Sequence, residues 1–145
     1  MRRPLSLLAC VALTACGAGQ LDGSANDASQ TAAVTGSAIA GLALANVGEG
    51  ACSTNAAGGK GYMSSCTGNG GAPEYWCADF ARWVSEKTGA GSTTALTAAP
   101  GRFNVYGQKH GTLHNSPKLG DAVVFNYAGN GYADHLAIVT QGNSH

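Results

Sequence analysis

The sequence has little charge and no excess of either sign. Only 11% of its 145 residues are charged, and Lys plus Arg balance Asp plus Glu. No basic stripe or acidic block occurs, so nucleic acid is not an expected partner. The 22 glycines follow no collagen-like period, which excludes a fibrous protein. The length suits one loop-rich domain with an extension, without room for a second full core.

Long apolar runs are also missing. The stretch Leu5–Leu13 follows a basic start, Arg2-Arg3, and is too short to cross a bilayer as a mature helix. This order is typical of a signal peptide that is removed on export. Leu13-Thr14-Ala15-Cys16 then resembles the bacterial lipobox, in which cleavage precedes the cysteine and the thiol is acylated. The resemblance implies that Cys16 becomes a lipidated N-terminus, and an ordinary secretory signal is the alternative.

The chain is thus predicted to have three parts. Residues 1–15 form the signal peptide, and residues 16–35, small and polar without an apolar period, form a flexible tether. Residues 36–145 form the domain. We expect an exported protein that is lipid-anchored at the cell envelope. Gly17, where many inner-membrane lipoproteins carry Asp, favours the outer membrane or the periplasmic face in a Gram-negative cell.

The five cysteines have different predicted fates. Cys10 leaves with the signal peptide and Cys16 carries lipid. Cys52 and Cys66 bracket a loop rich in Gly, Ser and Asn, and a disulfide there would contribute about 3 kcal/mol in an oxidising compartment. Cys77 is then left as an odd thiol. Zinc is the competing interpretation, but there is no C-x-x-C pair and no compact Cys/His spacing, so no metal is expected.

The odd thiol lies near the start of the most convincing helix. The apolar spacing predicts a helix over Tyr75–Lys87 that ends at Gly89. In its first turn, free backbone N–H groups and the helix dipole favour the thiolate of Cys77 and offer donors to a developing oxyanion. The alternative is a structural cysteine that packs as a small apolar side chain. On the same helix, Asp79 and Arg82 are expected to form a solvated charged face.

One histidine has a rigid predicted setting. Gly129-Asn130-Gly131 indicates a hairpin, and the strand His135–Thr140 follows. A histidine held by a strand is suited to act as a general base, because that role needs a fixed position. A surface or core histidine is the alternative. Asp134 is interpreted as a turn residue, since neighbouring strand residues point to opposite faces. The remaining histidines are expected in loops: His110, His114 and His145.

Three further segments complete the predicted elements. Gly36–Val47 is expected to form a short helix. Its apolar face is expected to hold Ile39, Leu42, Leu44 and Val47. Phe103–Gly107 is expected to form a turn or a short strand, and Leu119–Phe125 a tight turn that leads into a buried strand.

Three motifs together resemble a known family. W-C-A-D-F-A-R-W-V, L-G-D-A-V-V-F and A-D-H-L-A-I-V-T are similar, in this order, to the motifs of CHAP domains, the cysteine, histidine-dependent amidohydrolases/peptidases. The similarity runs from about Gly36 to the end of the sequence. It implies a papain-like α+β fold with N-terminal helices packed on a small antiparallel sheet. It also implies that Cys77 is the nucleophile, that His135 is the base, and that Gly120-Asp121 is a structural turn.

The sequence departs from the family pattern after the histidine. CHAP domains continue with strands that supply an Asn, Asp or Glu to orient the imidazole, whereas ten residues follow His135 here. Asn143 is the one residue of these three types that follows the base in the sequence and remains for this role. We therefore expect a domain that is incomplete at its C-terminus and lacks the last strands. Tyr75 and Trp76 are candidates for the substrate groove or for an oxyanion donor, with packing in the core or at its rim as the alternative.

The resemblance implies a thiol-dependent amidohydrolase or endopeptidase that cuts amide bonds of bacterial peptidoglycan. No cofactor is implied, and a monomer is expected. The expected partners are the peptidoglycan peptide and, through the lipid, the membrane. A catalytically inactive envelope lipoprotein that only binds the wall is a second hypothesis. Transfer of the acyl group to an amine or alcohol is a third.

Overall fold

A helical layer and one antiparallel sheet make up the described part of the chain. The computed structural model describes residues 7–11, 35–68, 75–90 and 93–142. None of the helices within these ranges is long and apolar enough to cross a membrane. The architecture confirms the predicted α+β class. The elements are β1 (Leu7–Val11), α1 (Gly36–Leu44), α2 (Cys77–Thr88), a 3₁₀ turn (Thr93–Ala95), α3 (Gly101–His110), β2 (Leu113–His114), β3 (Ala122–Phe125) and β4 (His135–Ile138).

The strands form a four-stranded sheet in the order β2-β1-β3-β4, and each neighbouring pair is antiparallel. Strands β3 and β4 form a hairpin. Next to its connecting loop, Phe125 lies opposite His135. Helix α2 packs against β4, and α1 packs against α2. The start of α2 and the start of β4 are therefore brought to one side of the sheet. The expectation that the domain lacks the last strands of the family fold stays a prediction.

Strand β1 differs from expectation. Residues 1–15 were expected to lie outside the fold, yet Leu7–Val11 pairs with both β2 and β3. A short apolar run suits an interior strand as well as a signal peptide, so this pairing does not test the removal of residues 1–15, and that division of the chain stays a prediction. Cleavage before Cys16 stays a prediction, because Cys16 and residues 17–34 lie outside the described residues.

Helix α1 is shorter than predicted and buries another face. The Thr35 hydroxyl accepts a hydrogen bond from the Ala38 N–H (3.2 Å), which caps the helix start. Ile39, Ala40 and Ala43 are the buried residues. Leu44 and Val47, expected on the apolar face, are 50% and 75% exposed. Small side chains let α1 approach α2 closely, and this packing decides the face.

Helix α2 confirms the strongest helix prediction. It begins at Cys77 and ends at Thr88, where Gly89 takes the left-handed conformation (φ 72°) and its N–H donates to the Glu86 carbonyl. The predicted pair of Asp79 and Arg82 is present, with 3.4 Å between guanidinium and carboxylate, but its predicted exposure to solvent is wrong. Asp79 is 1% exposed and accepts a hydrogen bond from the Ser64 hydroxyl at 2.8 Å. Its carboxylate ties the preceding loop to the helix.

The predicted disulfide between Cys52 and Cys66 is present. It closes a loop that contains Tyr62, whose side chain is fully buried. The Tyr62 hydroxyl donates to the Asn46 side-chain oxygen at 3.2 Å. The Tyr62 ring stacks on Trp76, with centroids 5.2 Å apart and planes 8° from parallel. This loop is therefore part of the core beside α2, and Phe80 and Trp83 pack edge-on against the same ring.

The turn before β3 is built on backbone contacts. The Lys118 N–H donates to the Asp121 carboxylate at 2.7 Å, and the Gly120 N–H donates to the Val139 carbonyl at 2.8 Å. These bonds hold the turn against the end of β4, as expected for Gly120-Asp121. His114 is not a loop residue, because it lies in β2. Its Nε2 is 3.1 Å from the Asp121 carboxylate, without the alignment of a hydrogen bond.

The segment around Phe103 is helical, so the expected turn or short strand is wrong. Phe103 is fully buried and Gly107 is buried in the same helix, α3. α3 ends at Gly111, which has a φ of 64°. A glycine inside the segment argues against a helix by propensity, but here it allows close packing against the sheet.

Candidate active site

Cys77 is the first residue of α2 and is half-buried. Its thiol is not part of a disulfide. The Phe80 N–H donates to the Trp76 carbonyl at 2.9 Å and so begins the helical ladder. The N–H groups of the preceding first turn have no partner within the helix. The thiol therefore lies beside unpaired backbone N–H groups at the positive end of the helix dipole, a suitable place for a developing oxyanion.

His135 is the first residue of β4, and its side chain is exposed. The backbone just before it is fixed, because the Asp134 N–H donates to the Phe125 carbonyl at 2.8 Å. The Asp134 carboxylate accepts the Ala128 N–H at 3.0 Å. Asp134 thus serves the hairpin loop as a turn residue does.

One cleft of about 1050 Å³ brings the two residues together. Apolar and aromatic side chains dominate its walls, and no Lys or Arg belongs to them. Among the described residues, no hydrogen bond joins the Cys77 thiol to the imidazole. The cleft is lined by Tyr75, Trp76, Cys77, Phe80, Ala98, Pro100, Ala133, Asp134, His135, Leu136, Ala137 and Ile138.

The comparison with protein families bears on this cleft. The family model described as CHAP domain matches residues 67–145, which is more than half of the chain. The chain belongs to the CHAP domain family. The matched region includes both Cys77 and His135, and α1 and the disulfide loop lie before it. No curated protein and no solved structure matches the chain.

Membership in the CHAP family supports a hydrolase of the amidase or peptidase kind that is related to peptidoglycan. The α+β architecture is consistent with a small CHAP domain. Within the described ranges, no group of three or more His, Cys, Asp or Glu side chains is arranged to hold a metal ion.

Two of the other predicted site residues line the cleft, and two lie outside the described residues. Tyr75 lines the cleft and is 94% exposed. Trp76 also lines it, while its ring stacks on the buried Tyr62. Asn143, the candidate orienting residue, lies outside the described residues, as does the lipidation candidate Cys16.

Two aromatic residues near the base were missed in the sequence. The rings of Phe125 and Tyr127 both stack with the ring of His135. Phe125 is the last residue of β3 and Tyr127 follows two positions later in the hairpin loop, a spacing that keeps side chains on one face of an extended chain. This spacing, read across the hairpin from His135, was the available signal.

Proposed function

We propose that the protein is an exported, lipid-anchored thiol amidohydrolase that cleaves amide bonds of bacterial peptidoglycan. One observation carries the proposal: Cys77 at the start of α2 and His135 at the start of β4 line the same cleft. A thiol needs a base near it and donors for an oxyanion, and the two elements supply these groups from different parts of the fold.

The reaction divides into two steps. The Cys77 thiolate attacks the amide carbonyl, and the developing oxyanion accepts hydrogen bonds from N–H groups of the first turn of α2. The C–N bond then breaks, and His135 gives the leaving amine the proton that it took from the Cys77 thiol. Water, deprotonated by His135, attacks the thioester and releases a carboxylic acid and the free thiol. No redox partner enters this balance.

The substrate is proposed to be a peptide amide of the wall. The bond lies within the stem or cross-bridge peptide, or joins the stem to the glycan. The apolar and aromatic walls of the cleft offer contact surface to a bound peptide. Acylation of Cys16 is proposed to keep a monomeric enzyme at the envelope, and a Cys16→Ser variant should leave the membrane fraction.

Digestion of purified cell walls tests the reaction class. The parent should release peptides with new amino termini and no new reducing ends, while Cys77→Ala and His135→Ala should release none. His110→Ala is the matched histidine control, because His110 is exposed and does not belong to the cleft lining. Equal release by the parent and Cys77→Ala would exclude the proposal.

The same assay separates the other two hypotheses. The lack of a hydrogen bond between the thiol and the imidazole, among the described residues, favours a wall-binding module as the second candidate. That module predicts that the parent sediments with walls and releases no peptide. Transfer instead of hydrolysis predicts that an added amine is incorporated into the released acyl fragment.

A further inference from the structure

Three aromatic rings lie together at the edge of the sheet, and one of them, His135, lines the cleft. The ring centroids of Phe125 and His135 are 6.0 Å apart, those of Tyr127 and His135 are 6.4 Å apart, and those of Phe125 and Tyr127 are 5.5 Å apart. The planes differ by 29°, 21° and 12°. Each pair lies within the range of offset stacking, so the imidazole is one member of a three-ring group.

The backbone fixes this group from two sides. Phe125 lies directly opposite His135 in the β3–β4 ladder, and opposed residues place their side chains on the same face. Tyr127 follows in the hairpin loop, and its two neighbours are both anchored. The Ala128 N–H donates to the Asp134 carboxylate, and the Asn126 side-chain oxygen accepts the Asn130 N–H at 3.2 Å. The loop therefore presents Tyr127 in one place.

Polar groups do not hold the imidazole within the described residues. No hydrogen bond to the His135 ring occurs there, and the nearest carboxylate in sequence, Asp134, is engaged by Ala128. The ring plane of His135 is thus restrained by the faces of Phe125 and Tyr127. Such faces also attract a protonated imidazole, the form that the base takes during the reaction.

We propose that Phe125 and Tyr127 are positioning residues for His135. They hold the plane of the imidazole at the cleft wall, so that proton transfer to and from the reacting groups starts from one orientation. The role of His135 as base rests on the proposed function. The restraint on the ring rests on the geometry of the three-ring group alone.

The variant Tyr127→Leu tests the role, because Tyr127 is 63% exposed and its loss leaves the core intact. Tyr127→Phe keeps the ring and serves as the conservative rescue. Tyr132→Leu is the matched control: Tyr132 lies in the same hairpin loop, is 75% exposed, and has no ring contact with His135 among the described residues. Phe125→Leu is a second test, made at the half-buried member of the three-ring group.

Three readouts separate positioning from other roles. On a soluble wall peptide, Tyr127→Leu should lower kcat about tenfold with KM within about twofold, whereas a substrate contact would raise KM. Alkylation of Cys77 by iodoacetamide, followed by mass spectrometry of its peptide, should slow in Tyr127→Leu as it does in His135→Ala. In a Cys77→Ala background, the His135 ring-proton signals in NMR should move when the neighbouring ring is lost. Tyr127→Phe and Tyr132→Leu should match the parent in all three.

The second and third readouts need no peptidoglycan. Suppose that the parent does not digest walls, but Tyr127→Leu still shifts the His135 signals and slows the alkylation of Cys77. These results would contradict the proposed function and support the positioning role. Unchanged ring signals and an unchanged alkylation rate in Tyr127→Leu would overturn the positioning role. Digestion by that variant with the kcat of the parent would overturn it as well.

Discussion

The backbones of Gly36 and Gly120 touch. A methyl group built on Gly120 would lie 2.5 Å from the Gly36 Cα and 2.6 Å from the Gly36 carbonyl oxygen. One built on Gly36 would collide with the Leu119 carbonyl. This contact joins the start of α1 to the turn that leads into β3. Helix α1, which precedes the matched CHAP region, is thus packed against it.

Substitution of Gly120 by alanine should therefore lower the free energy of unfolding by more than backbone strain alone explains. Gly120 and Gly131 have the same φ of 86°, but nothing lies within 4 Å of a methyl group on Gly131. Gly131→Ala should lower the free energy of unfolding by about 1 kcal/mol, the cost of the left-handed conformation. Gly120→Ala should lower it by about 2 kcal/mol more, because two backbones must separate. Urea denaturation measures both, and equal losses would contradict the close contact.

The disulfide should stabilise the loop that carries Tyr62. Reduction of the Cys52–Cys66 bond, or a Cys52→Ser/Cys66→Ser double variant, should lower the free energy of unfolding by about 3 kcal/mol for a loop of this length. Thermal unfolding with and without reductant measures the effect. The double variant is the control, since reductant should not change its Tm. A parent Tm that does not respond to complete reduction would show that the loop is held by packing alone.

Tyr62 should make stability depend on alkaline pH. Burial, and then the Glu49 carboxylate, raise the pKa of Tyr62 above its ordinary value of 10.0. As pH rises past this value, the phenol ionises in the unfolded chain before it does in the folded one, so the folded state loses stability. Tyr62→Phe should be less stable than the parent by about 1 kcal/mol at neutral pH, because the hydrogen bond to Asn46 is lost. That difference should shrink above pH 10.

Denaturation at several pH values measures the effect. Tyr132→Phe is the matched control, because Tyr132 is 75% exposed. A difference between the parent and Tyr62→Phe that stays constant between pH 8 and pH 11 would contradict the assignment.

Local signals in the sequence were sufficient for part of the fold. The α2 prediction holds because apolar spacing and Gly89 define that helix without help from distant residues. The Cys52–Cys66 pair follows from the count of thiols in a chain that is predicted to be exported. The strand that begins with His135 follows from its hairpin signal.

Contacts between residues far apart in the sequence determine the features that local signals did not predict. Asp79 is buried because Ser64, from the disulfide loop, donates to it, and helix periodicity carries no information on that partner. Phe103 lies in a helix because the sheet offers it a buried place, against the propensity of the nearby Gly107. The ring group at His135 depends on strand register, which one strand alone does not reveal.

Removal of residues 1–15 should have a measurable structural effect. Residues Leu7–Val11 pair with β2 and β3, so the predicted cleavage before Cys16 would deprive both strands of a neighbour. A chain that begins at residue 16 should be less stable to urea than the full chain by about 2 kcal/mol, from the lost backbone hydrogen bonds. A chain that lacks only residues 1–6 keeps β1 and is the control. Equal stability of all three would show that β1 does not contribute to the fold.

The central claim is that the Cys77 thiol attacks the wall amide with His135 as its base. The most direct test compares kcat/KM of the parent and Cys77→Ala on one soluble wall peptide, with all variants checked for the folded state. The account predicts that Cys77→Ala loses at least about a thousandfold in kcat/KM, as expected when a nucleophile is removed. It also predicts a thioester on Cys77 in acid-quenched parent. Hydrolysis by Cys77→Ala at the rate of the parent would contradict it.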